Sequence, residues 1–139
     1  MSNMTPPTLK IFLLTGFLVW LPATNGWSQS ATFSLKTNQD SALEVFSQLD
    51  PLAINTIHSW ELVLHTADGA PLIGAQMSVV GGMPDHDHGL PTSPVVTREI
   101  TPGRYLLEGM RFHMPGRWLL TFDVISDQGS ESATLEFRL

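Results

Sequence analysis

Residues 118–139 read WLLTFDVISDQGSESATLEFRL, and two runs of strict alternation meet in them. In the first, Trp118, Leu120, Phe122 and Val124 stand at every second position, with Leu119, Thr121 and Asp123 between them. In the second, Ala133, Leu135, Phe137 and Leu139 alternate with Thr134, Glu136 and Arg138. A strand points successive side chains to opposite faces, so each run offers one apolar face to a core, and the second offers a wholly polar face to water. Asp127-Gln128-Gly129 lies between them and has the composition of a turn. Two half-buried strands joined by a tight connection are the expected result.

The same period recurs upstream. Over residues 58–66, Trp60, Leu62 and Leu64 would face inward, with Glu61, Val63 and His65 opposite. Weaker extended runs cover residues 31–36, 42–48, 75–80, 95–100 and 105–112, and no window sustains a helical period. Punctuation falls at Asp68-Gly69 with Pro71, at Gly81-Gly82, at Pro102-Gly103 and at Pro115-Gly116. Seven or eight short strands at this spacing predict an all-β chain, an immunoglobulin-like antiparallel β-sandwich. Tyr105, just past the Pro102-Gly103 turn, stands where a tyrosine corner would sit.

Ahead of the strands the chain begins polar, carries Lys10, runs apolar over residues 11–22 (IFLLTGFLVWLP), then turns small and polar up to Ser30. That order is the pattern of a secretory signal, and the apolar run is well short of the roughly twenty residues that span a bilayer. The expected division is a signal peptide and leader over residues 1–30 and one domain over residues 31–139. Cleavage would follow small-residue pairs such as Thr24 with Gly26 or Ser28 with Ser30. The expected location is periplasmic or secreted, with no stable membrane span after cleavage. An uncleaved N-terminal anchor is the alternative. The chain has no cysteine, so no disulfide staples the domain and no lipid is attached through a cysteine after cleavage.

The formal charge is −6, and −7 once Lys10 leaves with the signal. Arg98, Arg104, Arg111, Arg117 and Arg138 are scattered among acids. No basic stripe is present to follow a phosphate backbone, so nucleic acid is not an expected partner.

Two turn-bounded segments concentrate the chemistry: residues 82–89, GMPDHDHG, and residues 110–116, MRFHMPG. They hold three of the five histidines, and three of the four methionines that remain after the leader. Imidazole with soft thioether suits copper, Cu(I) above all, better than calcium or magnesium. In an extended chain His86 and His88 point to one side and Asp85 and Asp87 to the other, which makes half of a metal site. An extended 110–114 would put Met110 and Met114 on one face and His113 on the other, so either face can complete the site. The bland alternative keeps the methionines as core filler, Met77 first among them, and leaves residues 85–88 as a solvated acidic loop. His58 and His65 stand apart at the two ends of one run and are expected to be structural.

Catalysis has little support. There is no cysteine nucleophile, no Gly-x-Ser-x-Gly elbow and no phosphate-cradling glycine loop. His86, His88 and His113 with Asp85 or Asp87 can be drawn as a zinc hydrolase site, but nothing in the sequence builds a substrate cleft. The chain is not expected to be an enzyme.

Several stretches resemble the YtkA-like family of small exported sandwich domains, whose relatives include the periplasmic part of FixH-like proteins. They are Leu64-His65-Thr66-Ala67-Asp68-Gly69-Ala70-Pro71 leading to Gly74-Ala75, the loop over residues 83–89, Pro102-Gly103-Arg104-Tyr105, and Phe112-His113-Met114-Pro115-Gly116-Arg117-Trp118. The resemblance implies an immunoglobulin-like domain outside the cytoplasmic membrane, associated with copper handling or with assembly of copper enzymes. Carried over by position, it makes His86, His88, His113, Met83 and Met114 the metal ligands, copper the ion, and an envelope protein or copper acceptor the partner. A short leader in place of a clear anchor departs from FixH-like proteins. Two functional expectations follow: a copper-binding carrier or assembly factor, or a metal-free envelope protein-interaction module.

Overall fold

The computed structural model describes Met1 and residues 30–139; the rest of the expected leader lies outside the described residues. Nine strands follow one another: β1 (Phe33–Lys36), β2 (Ala42–Ser47), β3 (His58–His65), β4 (Gln76–Met83), β5 (His88–Gly89), β6 (Val95–Thr101), β7 (Arg104–Met110), β8 (Arg117–Ser126) and β9 (Gly129–Arg138). They form a five-stranded sheet, β1-β2-β3-β7-β6, and a four-stranded sheet, β5-β4-β8-β9. Every pairing is antiparallel. The chain crosses between sheets after β3, β5 and β7, and the result is an immunoglobulin-like β-sandwich.

The alternation in the sequence explains why the sheets close on each other. Trp60, Leu62 and Leu64 of β3 face Trp118, Leu120, Phe122 and Val124 of β8, and all seven are fully buried. Leu43 and Val45 of β2 and Ala133 and Leu135 of β9 extend the same layer. Side chains of this size each contribute about 1.5–3 kcal/mol when withdrawn from water. The hairpin expected at Asp127-Gln128-Gly129 joins β8 and β9 in unbroken register from Arg117↔Arg138 to Ser126↔Gly129.

In place of the local contact of a tyrosine corner, Tyr105 bonds to backbone 33 and 30 residues upstream. The buried Tyr105 hydroxyl donates to the Leu72 carbonyl at 2.6 Å and accepts from the Ala75 amide at 2.9 Å. It thereby pins β7 to the segment that crosses from β3 to β4. Burial raises its pKa above the ordinary phenol value, which keeps the donor protonated.

Gly81-Gly82 departs from the expectation of a turn, for both lie inside β4. A Cβ on Gly81 would sit 2.2 Å from the Leu119 carbonyl oxygen, and one on Gly82 would sit 2.3 Å from the His88 carbonyl oxygen. The glycines are there because neighbouring backbone on both sides approaches too closely for a side chain. The strand that the sequence reading did not expect, β5, is two residues long and pairs Gly82↔Gly89 and Met83↔His88.

Candidate metal centre

Antiparallel strands put the β4–β5 turn, the connection from β7 to β8 and the connection from β2 to β3 at one end of the sandwich. Both histidine segments therefore meet at that end. Residues 84–87 must reverse the chain between Met83 and His88, so they are a turn and not the extended run that the simple alternation assumed. The His86 amide donates to the Met83 carbonyl at 3.0 Å, and Asp87 takes a left-handed backbone, φ 51°. Asp and Asn tolerate that conformation better than other side chains.

The turn still sets His86 beside His88. Their rings stack with centroids 5.8 Å apart and planes 24° apart. The ring of His113, from the other segment, lies 5.0 Å from His88. Two imidazoles that share one tetrahedral ion at about 2.0–2.1 Å hold their centroids roughly 5 Å apart, so both spacings fall in the range of shared ligation. Among the described residues no three His, Asp or Glu side chains are already gathered around a single point. The three rings are neighbours that need rotation about their side-chain bonds to converge. His86 and His88 are exposed and free to make it.

His113 is half-buried, packed edge-on to Trp118 with centroids 5.5 Å apart. Its Nδ1 is buried and has no hydrogen-bond partner. An imidazole nitrogen removed from water without a partner is costly, on the order of 1–3 kcal/mol, and a bound cation would satisfy it. His58 Nε2 is likewise buried without a partner, so the orphaned atom of His113 counts as a candidate donor only through its ring's place beside His88.

The methionines stand differently. β7 ends at Met110, which is fully buried in the core, so Met110 and Met114 do not share a strand face. Met83 is 1% exposed, with its Cε 2.6 Å from where a Cβ on Gly116 would lie. Its register partner is His88, so its side chain leaves the sheet on the same side as that ring. Met114 is partly buried against the core, and its carbonyl accepts from Trp118 Nε1 at 3.2 Å. Met83 is thus a core residue whose register partner is His88, whereas Met114 helps hold Trp118 under His113.

Charge around the loop is shared with β8 and β9. Arg117 reaches Asp85 at 3.3 Å and Glu136 at 2.8 Å. Its hydrogen bonds and charge hold Glu136 below the ordinary carboxylate range. Asp85 is thereby drawn toward β8, and the stretch before His86 is tied to the sheet. No local pattern marks this clamp, because the partners are 32 and 19 residues from Arg117.

His65 lies at the far end of β3, whereas His58 lies at the histidine end but is packed into the core. His58 is buried, its Nδ1 3.0 Å from the Thr56 carbonyl and its ring 5.9 Å from Phe112. The β2–β3 connection also brings Ile54 and Ile57 to the histidine end, 43% and 65% exposed. It is fastened there by the Asn55 amide, which donates to the Phe112 carbonyl at 2.6 Å, and by Arg111, which donates to Asn55 Oδ1 at 3.1 Å. A strand-by-strand reading missed this apolar rim, because isolated isoleucines in a polar loop look like ordinary surface.

Comparison with known proteins gives one family. A model of the YtkA-like family matches residues 36–123. No curated protein matches the chain. Among solved structures, the ZirS C-terminal domain is similar at a TM-score of 0.42 and 16% identity, over 100% of this chain and 86% of its own. The family match takes in both histidine segments, and the chain belongs to the YtkA-like family.

Proposed function

We propose that this member of the YtkA-like family is an exported copper-binding accessory protein, a carrier or assembly factor of the periplasm with no reaction of its own. The observation that carries the reading is the adjacency of His86, His88 and His113, from two separate segments, the last with a buried Nδ1 that lacks a partner. Imidazole alone suits zinc and nickel as well as copper; the thioether of Met83 opposite His88 is the soft donor that favours Cu(I). Two exposed rings leave the ion open to solvent on one side, and an open side is what ligand exchange with an acceptor requires.

A titration of the purified protein with Cu(I) under reducing conditions and Cu(II) in air, beside a His86→Ala/His88→Ala variant, tests this. One equivalent bound by the parent and lost by the variant is expected. No binding, or equal binding by both, would overturn it.

Ile54 and Ile57 at the same end favour a second reading, a metal-free module that docks an envelope protein. Unimpaired partner binding by the histidine variant would select it.

A further inference from the structure

Side chains at the start of β8 alternate as a strand requires. Trp118 and Leu120 are fully buried, so Arg117 and Leu119 face outward from the four-stranded sheet. Across the β8–β9 pair, Arg138 stands directly opposite Arg117, and Glu136 opposite Leu119. Like charges directly opposite each other repel, and Glu136 offsets part of this. Arg117 meets Glu136 with two nitrogens, Nε on one carboxylate oxygen at 2.8 Å and Nη2 on the other at 3.2 Å, a fork that fixes the guanidinium. The remaining nitrogen, Nη1, donates to Asp85 Oδ1 at 3.3 Å. Two guanidinium groups against one carboxylate leave an excess of positive charge, and Asp85 balances it.

That placement draws Asp85 away from the imidazoles. His88 is the register partner of Met83, a core residue, and cross-strand partners point to one side of a sheet. His113 packs on Trp118, which faces the same way. Asp85 is the neighbour of His86 in the chain, yet its carboxylate is tied to the outer face. The difference matters because metals sort by donor. Zinc takes carboxylate oxygen at about 2.0–2.2 Å, whereas Cu(I) favours thioether and imidazole. Three imidazoles with Asp85 make a zinc site, and three imidazoles with Met83 suit Cu(I).

With the metal reading of His86, His88 and His113 as its basis, we propose that Arg117 sets the metal preference of that site: it holds Asp85 on the outer face, where the carboxylate does not serve as a fourth ligand to Zn(II). Arg117 touches no ion itself and is a positioning residue that acts through Asp85. Asp87, the other carboxylate of the loop, makes no ion pair among the described residues and lies outside the clamp. An exposed ion pair shifts an equilibrium by at most about fivefold, so the clamp biases the choice of metal and does not make it absolute.

A double-mutant cycle on the purified protein tests this, with Arg117→Gln, Asp85→Asn and the two combined, each titrated with Zn(II) and with Cu(I). Arg117→Gln is expected to raise the ratio of Zn(II) to Cu(I) affinity about two- to fivefold, and Asp85→Asn to abolish that rise. In carbon NMR, Zn(II) is expected to shift the Asp85 carboxyl resonance in Arg117→Gln and to leave it in place in the parent. A rise that persists in the Asp85→Asn background would reduce Arg117 to a positive charge near the ion and overturn the proposal. No rise at all, or an Asp85 resonance that Zn(II) moves in the parent, would overturn it too. A parent that takes up no Cu(I) sinks the copper reading and this preference with it; a parent that binds Cu(I) without coupling between the two positions sinks the preference alone.

Discussion

His113 separates a ligand from a structural residue more sharply than its two neighbours do. Its ring fills space beside Trp118, but Nδ1 holds no hydrogen bond, so truncation breaks no polar contact at that atom. His113→Ala is expected to weaken Cu(I) binding by at least about tenfold, the loss seen even when an outer partner of a metal ligand is removed. The midpoint of thermal unfolding should move by only a few degrees, since a half-buried side chain is lost without orphaning a partner. Isothermal titration and melting of the same variant check both halves. A large drop in melting temperature with unchanged metal binding would make His113 a packing residue. Glu136 gives a second expectation, on pH. Its folded pKa is lowered, chiefly by the hydrogen bond from Arg117, so its contribution is present above the ordinary glutamate value and is lost as pH falls through the lowered one. Melting followed through the acid range should show this loss as a shallow slope, because the pair is exposed, and Glu136→Gln should flatten it.

The elements depend on contacts that alternation does not encode. The strand runs were legible because β3, β8 and β9 each place a run of alternating apolar residues on the core, and Trp60, Trp118 and Leu135 are buried as their positions in the period require. β5 was not legible, since His88-Gly89 is too short to have a period and exists only because Gly82 lets its backbone come near. A methyl group at Gly82 has to push β5 off β4. Gly82→Ala is expected to cost about 1–3 kcal/mol, the usual range for overpacking. It should also weaken metal binding, because His88 moves with β5; denaturant unfolding and a copper titration read the two effects. Tyr105→Phe tests the pin. It leaves the Leu72 carbonyl and the Ala75 amide without their buried partner, at about 1–3 kcal/mol by urea unfolding. A change below about 0.5 kcal/mol would mean that the pin is not structural.

For the whole molecule, the sandwich does for the site what the sequence alone cannot express. Residues 86 and 113 are brought together because β4 and β7 both end at one pole of the fold, and sequence distance carries no trace of that. The two histidine-bearing segments were legible as candidates; the turn at residues 84–87, the clamp of Arg117 on Asp85 and the burial of Met83 were not, since each depends on a strand far along the chain. The methionine content that first suggested copper is in good part core, with Met110 and Met83 buried, the first opposite His58 and the second opposite His88. The reading therefore rests on the three imidazoles acting together. Cu(I) is diamagnetic and leaves histidine ring resonances observable, so stepwise addition of Cu(I) to the purified protein, followed by NMR, tests that union directly. The account predicts that the rings of His86, His88 and His113 shift together and are complete at one equivalent, while those of His58 and His65 stay in place; shifts confined to His86 and His88, or spread over all five histidines, would contradict it.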